Sequence, residues 1–193
     1  RVFSYLLLTR GIDKDVLFEF VRKKMVYESA DYHNAVFVGY DSSGKPRHAH
    51  KRGTVTSNSY KGNVAGSQPE FSFHWHGTSD KLFLFEAPID MLSYISMHKN
   101  NWQKHSYAAS CSVSDRVLFQ CLKDNPNIKN VFLCFDNDEA GQKAVDYERE
   151  INRAGDDEIM SRWQEENGVT ITKNEDMDID SFKKAVDGID EWY

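Results

Sequence analysis

Two short apolar runs, each ending in an acidic residue, constrain the fold of this chain more than any other feature. Residues 131–135 lead directly into Asp136 and Asp138, and residues 81–85 lead into Glu86. Each run has the length and composition of a buried strand, and a helix is expected to begin a few residues later. The ends of adjacent strands in a parallel α/β sheet converge on one crevice. The pattern therefore predicts a parallel sheet with carboxylates at one edge.

The carboxylates at these strand ends allow two interpretations. An aspartate at a strand–helix junction is often only a helix N-cap, and for a single carboxylate this alternative stays open. At strand spacing, however, Asp136 and Asp138 point the same way and offer oxygen ligands to a hard cation. An EF-hand loop is excluded because Ala140 stands where that loop needs an oxygen ligand. The conjunction of this pair with Glu86 and Asp90 favours an acidic metal site.

A known family carries the same acidic segments. Residues 85–90, Phe-Glu-Ala-Pro-Ile-Asp, and residues 135–141, Phe-Asp-Asn-Asp-Glu-Ala-Gly, resemble the Toprim domain of bacterial primases, type IA and II topoisomerases and some nucleases. The resemblance covers roughly residues 80–190. It implies that Mg²⁺ or Mn²⁺ is held by Asp136 and Asp138, with Asp178 or a neighbour completing the site. It further implies that Glu86 is an acid–base residue or a further ligand, supported by Asp90.

Two departures from the Toprim pattern stand out. The family carries a glycine-bearing turn after its second strand, whereas residues 110–114 read Ser-Cys-Ser-Val-Ser. A turn without glycine approaches a ligand less closely. The third acidic motif is also blurred, because Asp176, Asp178 and Asp180 alternate along the chain. Of these, Asp178 aligns best with the primase form, and the register stays open.

The segment before the Toprim-like region is similar to the N-terminal half of bacterial primase cores. Residues 5–12 read Tyr-Leu-Leu-Leu-Thr-Arg-Gly-Ile, and a basic stretch follows at residues 45–52. The whole chain resembles primase-like proteins of bacterial mobile elements, in which such a leader precedes Toprim. We therefore predict a leader domain over residues 1–78 and a Toprim domain over residues 79–193. The fold class is α/β with an α+β leader, which is a small mixed or antiparallel sheet with a helix, followed by a Toprim-type βαβ parallel sheet.

Several elements are predicted in the leader. A helix capped by Asp13 continues to about Lys24, and residues 36–40 and 47–52 form a hairpin. Residues 53–70 are expected to be a loop, and residues 71–76 a strand that closes the small sheet. His74 and His76 share a face of that strand, but they lack further ligands at zinc spacing, which disfavours a zinc site.

The Toprim-like region alternates between strands and helices. Strands are expected at residues 81–85, 106–109, 129–135 and 169–172. Helices are expected at residues 88–98, 114–122 and 140–154, with further helices at 156–167 and 180–186. This alternation indicates a parallel α/β sheet.

The distribution of charge separates the two halves of the chain. The net charge of −6 argues against a generic nucleic-acid binder. Residues 1–135, however, carry 17 Lys and Arg against 12 Asp and Glu, whereas residues 136–193 carry 7 against 18. A basic segment near an acidic metal site suits an enzyme that acts on phosphodiesters. A solvated charged hairpin beside an acidic helical tail is the simpler alternative.

Composition places the chain among folded proteins of a reducing compartment. Its 193 residues include 40% hydrophobic residues and no apolar run long enough to span a membrane, so we expect a cytoplasmic protein. The chain begins at Arg1 without an initiator methionine, which suggests that it is cut from a longer protein. Its three cysteines stand in apolar surroundings without a Cys-x-x-Cys pairing, which favours buried free thiols: Cys111, Cys121 and Cys134.

These observations favour a DNA primase-like, metal-dependent nucleotidyltransferase that acts in replication or transfer of a mobile element. The expected partners are single-stranded DNA and nucleoside triphosphates, with a helicase or relaxase of the same element and no membrane. Arg47, Lys51 and Arg52 are expected to contact template or triphosphate. The alternatives are a Toprim nuclease or strand-cleaving module, and a non-catalytic nucleic-acid-binding scaffold.

Overall fold

A four-stranded antiparallel sheet forms the centre of the N-terminal part of the chain. The computed structural model describes residues 1–55, 60–111, 116–135, 168 and 170–173. The strands of this first sheet, in their order across it, are β1 (Val26–Glu28), β2 (Ala35–Tyr40), β3 (Pro46–Arg52) and β4 (Lys61–Asn63). The predicted hairpin is confirmed, because β2 and β3 pair with Val36 opposite Lys51.

Helices cover one face of this sheet. A short helix α1 (Val2–Ser4) continues into a π-helical turn, Tyr5–Thr9. The helix α2 (Lys14–Arg22) follows, and the side chain of Asp13 caps it by accepting hydrogen bonds from the backbone N–H groups of the first turn. The predicted helix and its cap are thus confirmed. The α2 helix buries Val16, Leu17 and Phe20, which recur at helical spacing.

A second sheet of five strands follows along the chain. In sequence order its strands are β5 (His74–Trp75), β6 (Lys81–Phe85), β7 (Ser106–Ala109), β8 (Asn130–Cys134) and β9 (Thr170–Lys173), and their order across the sheet is β5-β7-β6-β8-β9. The strands β6 to β9 are parallel, while β5 runs antiparallel to β7. The helix α3 (Pro88–Met97) connects β6 to β7, and α4 (Arg116–Asp124) lies between β7 and β8. The predicted α/β class is confirmed as an antiparallel sheet followed by a mixed, mainly parallel one.

The core has two parts, which lie on opposite faces of β6. Phe83 and Phe85 belong to a large cluster that also contains Phe20 and Phe37 of the leader. Leu82 and Leu84 belong to a second cluster, to which α4 contributes its buried side chains. A strand that is buried on both faces reads as a continuous apolar run, which explains why β6 was predictable. The boundary predicted between residues 1–78 and 79–193 stays a prediction.

Two expectations about the leader are wrong. Residues 71–76 do not close the small sheet, because β5 pairs with β7 of the second sheet, with His74 opposite Ala108. The first sheet ends instead in β4, which lies inside residues 53–70 and was expected to be loop. Lys61-Gly62-Asn63 has little intrinsic preference for a strand, so pairing with β3 decides its conformation.

The remaining predicted helices, at residues 140–154, 156–167 and 180–186, lie outside the described residues. Within the described ranges, no helix is long and apolar enough to cross a membrane.

Candidate active site and nucleic-acid interface

The carboxyl end of β6 is the point where the order of strands in the second sheet reverses. The chain passes from β6 to β7 on one side and then to β8 on the other side. Phe85 of β6 is registered with Cys134 of β8, so the two strands end side by side. Crevices at such switch points are where open α/β sheets bind ligands. Glu86 follows β6 directly, and Asp136 comes two residues after Cys134 in the sequence.

The predicted ligand set is only partly within the described part of the chain. Glu86 is half-buried at the end of β6, and Asp90 lies in the first turn of α3. Asp136, Asp138 and Asp178 lie outside the described residues. Among the residues that are described, no three His, Cys, Asp or Glu side chains form a group that could hold a metal. The roles of all five carboxylates stay predictions.

The turn after β7 is attached to the strand end that carries Glu86. The carbonyl oxygen of Glu86 accepts a hydrogen bond from the backbone N–H of Cys111 at 3.0 Å. The hydroxyl of Ser110 lies 3.5 Å from the same oxygen. Cys111 has a φ of 55°, in the left-handed region that glycine adopts most easily. The sequence has no glycine at this turn, and Cys111 adopts the backbone conformation that glycine would favour.

Burial keeps two of the cysteine thiols, Cys111 and Cys121, protonated at neutral pH. Burial raises the pKa of Cys111 to about 12, and burial raises the pKa of Cys121 to about 12 as well. All three cysteines are free, as predicted, and Cys121 and Cys134 are buried, whereas Cys111 is only half-buried. A protonated thiol is a poor metal ligand and a poor nucleophile. Neither Cys111 nor Cys121 is therefore suited to bind a metal or to act as a nucleophile at neutral pH.

Arg47, one of the three basic residues predicted to contact nucleic acid, forms an ion pair within the turn of its own hairpin. Its Nε atom lies 2.6 Å from Oδ2 of Asp41. Asp41 also accepts hydrogen bonds from Ser43 and from the backbone N–H of Lys45, and the Ser43 and Arg47 contacts lower the pKa of Asp41. Arg47 thus helps to close the β2–β3 turn, and its contact with nucleic acid stays a prediction.

The other two predicted basic residues lie on opposite faces of β3. Nζ of Lys51 lies 2.9 Å from Oδ2 of Asp31, and this hydrogen bond raises the pKa of Lys51. Such an exposed pair contributes little stability and opens readily to a competing anion. Arg52 lies directly opposite Lys61 of β4. Neither Arg52 nor Lys61 makes an ion pair within the described residues.

Lys61 is the basic residue that sequence reasoning missed. Like charges directly across a strand pair repel each other, and a bound anion would offset the repulsion between Arg52 and Lys61. The sequence shows that both residues are basic, but it did not indicate that they pair, since β4 was not expected to be a strand.

The two histidines of the β5 segment pack against each other. Their ring centroids are 4.6 Å apart, and Nδ1 of His74 donates to the carbonyl oxygen of Ser72 at 2.6 Å. Burial lowers the pKa of His76 to about 4, although Asp124 lies 3.9 Å from its Nε2. The zinc interpretation was disfavoured from the sequence, and no metal-binding group of three side chains forms here among the described residues.

Comparison with known families identifies the second half of the chain. A family described as Toprim-like matches residues 83–180, which is half of the chain. The chain belongs to the Toprim-like family. The family resemblance predicted from the acidic segments is thereby confirmed. The Toprim-like region is preceded by residues 4–80, which match a family described as a protein of unknown function (DUF3991).

A curated relative shares both parts of this Toprim-like chain. An uncharacterized protein of Bacillus anthracis is 27% identical in an alignment of 158 residues, which covers 76% of this chain and 46% of that protein. The chain therefore spans about half the length of this relative.

Several solved structures that this chain resembles are primases. The Aquifex aeolicus primase, with its zinc-binding and RNA polymerase domains, has a TM-score of 0.56 at 15% identity, covering 96% of this chain and 53% of that chain. The primase fragment of the bacteriophage T7 primase-helicase has a TM-score of 0.53 at 19% identity, covering 71% and 56%. A chain from a T7 lagging-strand DNA polymerase structure, with the primase domains of two gp4 subunits bound to an RNA/DNA hybrid and dTTP, has a TM-score of 0.53 at 20% identity, covering 76% and 73%. At these identities the likeness establishes a primase-like fold.

Proposed function

We propose that this chain is a primase-like, metal-dependent nucleotidyltransferase core that copies single-stranded DNA during replication or transfer of a mobile element. One observation carries the proposal: β6 and β8 are parallel neighbours at the switch point of a primase-like Toprim fold. The sequence continues from these strands into Glu86 and into the Asp136-x-Asp138 segment. Two acidic strand ends at a ligand-binding crevice suit phosphoryl transfer better than a purely structural role.

The donors available at this edge fit a magnesium or manganese ion. They are carboxylate oxygens, which hard divalent cations prefer. The thiol of Cys111, whose backbone N–H bonds Glu86, has its pKa raised by burial to about 12. We assign the metal to Asp136 and Asp138, with Glu86 and Asp178 as further ligands. When bound, the metal supplies Lewis-acid activation of the attacking hydroxyl and neutralises charge on the triphosphate.

The protein's own groups supply the rest of the chemistry in this proposal. Glu86 accepts or returns a proton at the crevice, and the hydrogen bonds from the Ser110–Cys111 turn to its carbonyl oxygen fix the position of its backbone. Asp90, one helical turn further on, supports Glu86 through its carboxylate. Phosphate groups of the template or the incoming nucleotide are contacted by Arg52 and by Lys51 once it leaves Asp31, and Arg47 keeps the hairpin in shape.

The partners proposed for the chain are single-stranded DNA and nucleoside triphosphates. The matched T7 chain comes from a structure in which primase domains are bound to an RNA/DNA hybrid and dTTP, and T7 primase is part of a primase-helicase protein. We extend that association to this chain as a proposal, with a helicase or relaxase of the same element as the protein partner.

Template-directed synthesis tests this function. The protein is incubated with a single-stranded template, Mg²⁺ or Mn²⁺ and labelled ribonucleoside triphosphates, and the products are separated by size. We expect template-dependent oligomers that disappear in Asp136→Asn and Asp138→Asn. The matched control is Asp80→Asn. Asp80 immediately precedes β6, at the opposite end from Glu86, and its carboxylate accepts from Asn130 at 2.9 Å.

The same incubation separates the alternatives. Cleavage of the template without incorporation, lost in the Asp136→Asn variant, would replace the proposal with a Toprim nuclease. Binding of DNA with neither incorporation nor cleavage would indicate a scaffold module.

A further inference from the structure

The inner face of the first sheet, which is the face that carries Phe37, changes from apolar to polar between β2 and β3. On β1 and β2 this face carries Val26, Ala35 and Phe37, all of which belong to the core cluster. Among the described residues, none from β3 or β4 belongs to that cluster. The apolar core therefore stops at β2 on this face, although the sheet continues for two more strands.

One row of residues across the inner face ends in two cations. Ala35 lies opposite Arg52, and Arg52 lies opposite Lys61. Residues directly opposite each other in antiparallel strands share a face, with their Cβ atoms about 5 Å apart. Arg52 is half-buried and Lys61 is exposed, and neither makes an ion pair with any residue that the structure describes. Their side chains start close enough together for both to contact one oxyanion.

The next row places a histidine beside these two cations. Phe37 lies opposite His50, and His50 lies opposite Asn63. His50 is buried, and its Nδ1 bonds Oδ1 of Asn63 at 2.8 Å. An amide oxygen only accepts hydrogen bonds, so Nδ1 carries the hydrogen of the neutral ring. A further proton therefore goes to Nε2 of His50.

The protonation of His50 is linked to the charge on the neighbouring row. Burial lowers the pKa of His50 most, the hydrogen bond with Asn63 raises it, and the positive charges of Arg52 and Lys61 lower it. An anion held between Arg52 and Lys61 would offset their charge. It would therefore favour the protonated form of the imidazole.

Three other titratable groups of the described ranges lie on this face or near it. Burial, and then His50, lower the pKa of His48 to about 4, while Glu70 of the turn Pro69–Phe71 raises it. Glu28 shares the row of Arg52 on β1, but it is paired with the chain's first amino group and with His33. His48 thus stays mostly neutral above about pH 5. His50 is the histidine of this face that responds to an anion near neutral pH.

We propose that Arg52 and Lys61 bind one phosphate group of a nucleotide or nucleic acid, and that Nε2 of His50 takes up a proton from solvent when the phosphate binds. The proton adds a third positive charge to the site, so phosphate binding and protonation strengthen each other. This inference rests on the proposed function, because it assigns a phosphate contact of the same substrate and makes that contact dependent on pH.

Sulfate binding as a function of pH tests the inference. Sulfate keeps both negative charges near neutral pH, so any proton taken up on binding goes to the protein. Titration calorimetry with EDTA, at constant ionic strength and at about pH 5.5 and about pH 8, gives the affinity. Buffers of different ionisation enthalpy give the number of protons taken up.

Four variants accompany the wild type in this titration. Arg52→Ala and Lys61→Ala remove the two cations, and His50→Gln removes the titratable ring. Lys51→Ala is the matched control, because Lys51 lies between His50 and Arg52 in the sequence but on the opposite face of β3. Lys61 is exposed, so its replacement probes the site without disturbing the core.

Wild-type protein is expected to bind sulfate about fivefold or more tightly at the lower pH, with net uptake of protons. Arg52→Ala and Lys61→Ala should weaken sulfate binding by about tenfold or more and reduce the proton uptake. His50→Gln should bind like the wild type at the higher pH and lose the gain at the lower pH. Lys51→Ala should match the wild type at both.

Two further ligands identify the source of the phosphate group. A ribonucleoside triphosphate and an oligothymidylate, both without metal, are titrated into the wild type and His50→Gln. The occupant is the ligand that His50→Gln weakens at the lower pH and not at the higher pH. If neither ligand behaves in this way, the assignment of the site to a phosphate group of the substrate is overturned.

Wild-type sulfate binding that is absent or independent of pH would overturn the inference. A gain at the lower pH that persists in His50→Gln, or an equal loss in Lys51→Ala, would also overturn it. Proton-linked anion binding without template-directed synthesis would refute the proposed function and leave the inference standing. Synthesis with anion binding that is independent of pH would do the opposite.

Discussion

The backbone N–H of Cys111 donates a hydrogen bond of 3.0 Å to the carbonyl oxygen of Glu86. Cys111 does so at a φ of 55°, a conformation that costs a residue with a Cβ atom about 1 kcal/mol or more relative to glycine. The strained turn therefore lies against the strand end that we assign to the active site. Strain of this kind persists only where the surrounding structure holds it.

Replacement of Cys111 separates the backbone strain from the packing of the thiol. Cys111→Gly removes both the strain and the half-buried side chain, whereas Cys111→Ala removes the thiol and keeps the strain. We expect the glycine variant to be more stable than the alanine variant by about 1 kcal/mol. Urea unfolding measures the difference. An alanine variant that equals or exceeds the glycine variant would show that the turn is unstrained.

Two neighbouring histidines on β3 form a matched pair for a stability test. His48 is buried, and neither ring nitrogen has a hydrogen-bond partner within the described part of the chain. His50 is also buried, but its Nδ1 bonds the side chain of Asn63 at 2.8 Å. At pH 7 we expect His48→Leu to be neutral or stabilising and His50→Leu to cost about 1 kcal/mol. Equal effects of the two changes in urea unfolding would contradict this account.

The same His48→Leu variant carries a pH dependence. Burial first, and then the proximity of His50, lower the pKa of His48 to about 4, against about 6.5 in the unfolded chain. Its neutral form is favoured in the folded state, so its contribution is full above pH 6.5 and is lost as the pH falls towards 4. As the pH falls from 6.5 towards 4, the stability of His48→Leu relative to the wild type should therefore rise by on the order of 2 kcal/mol. A pH-independent difference would indicate an unperturbed histidine.

The sequence predicted those elements whose pattern is local and strong. The strands β6 and β8 are short apolar runs between turn residues, and the α2 helix has a capping aspartate and apolar residues at helical spacing. In contrast, β4 contains a glycine and an asparagine, and β5 is two residues long. Their conformation and partners depend on pairing with distant segments, which no local pattern reveals.

In the candidate site, too, local features were predictable and contacts that depend on the fold were not. Sequence alone indicated the acidic strand ends, because a carboxylate after an apolar run is visible without a structure. It did not indicate that Arg47 is paired with Asp41, since that contact depends on the geometry of the turn. It also missed Lys61, which becomes a neighbour of Arg52 only through the β3–β4 register.

Two arginines of β3 should therefore respond differently to the same loss of charge. Arg47→Ala removes the partner of Asp41 and is expected to lower stability while changing the salt slope of single-stranded DNA binding little. Arg52→Ala should leave stability within about 0.5 kcal/mol and reduce the slope by about 0.7. Thermal unfolding and a salt titration measure the two effects. Equal salt slopes for the two variants would show that Arg47 and Arg52 contribute equally to DNA binding, which would contradict this account.

Metal binding should depend on the carboxylates after β8. Asp136→Asn is expected to abolish Mn²⁺ binding seen by titration while the fold is retained, because a weak site of this class has few protein ligands to lose. Asp80→Asn, at the amino end of β6, serves as the control and should bind Mn²⁺ like the wild type. Unchanged affinity in Asp136→Asn would move the metal site elsewhere.

A crystal structure of the protein with Mn²⁺, analysed by anomalous scattering, tests the central claim most directly. We predict one or two manganese peaks at the carboxyl ends of β6 and β8, with the carboxylates of Glu86, Asp136 and Asp138 within about 10 Å of each other. Manganese bound away from these strand ends, or Glu86 and Asp136 too far apart to share a bound ion, would contradict the assignment of this edge as a nucleotidyl-transfer site.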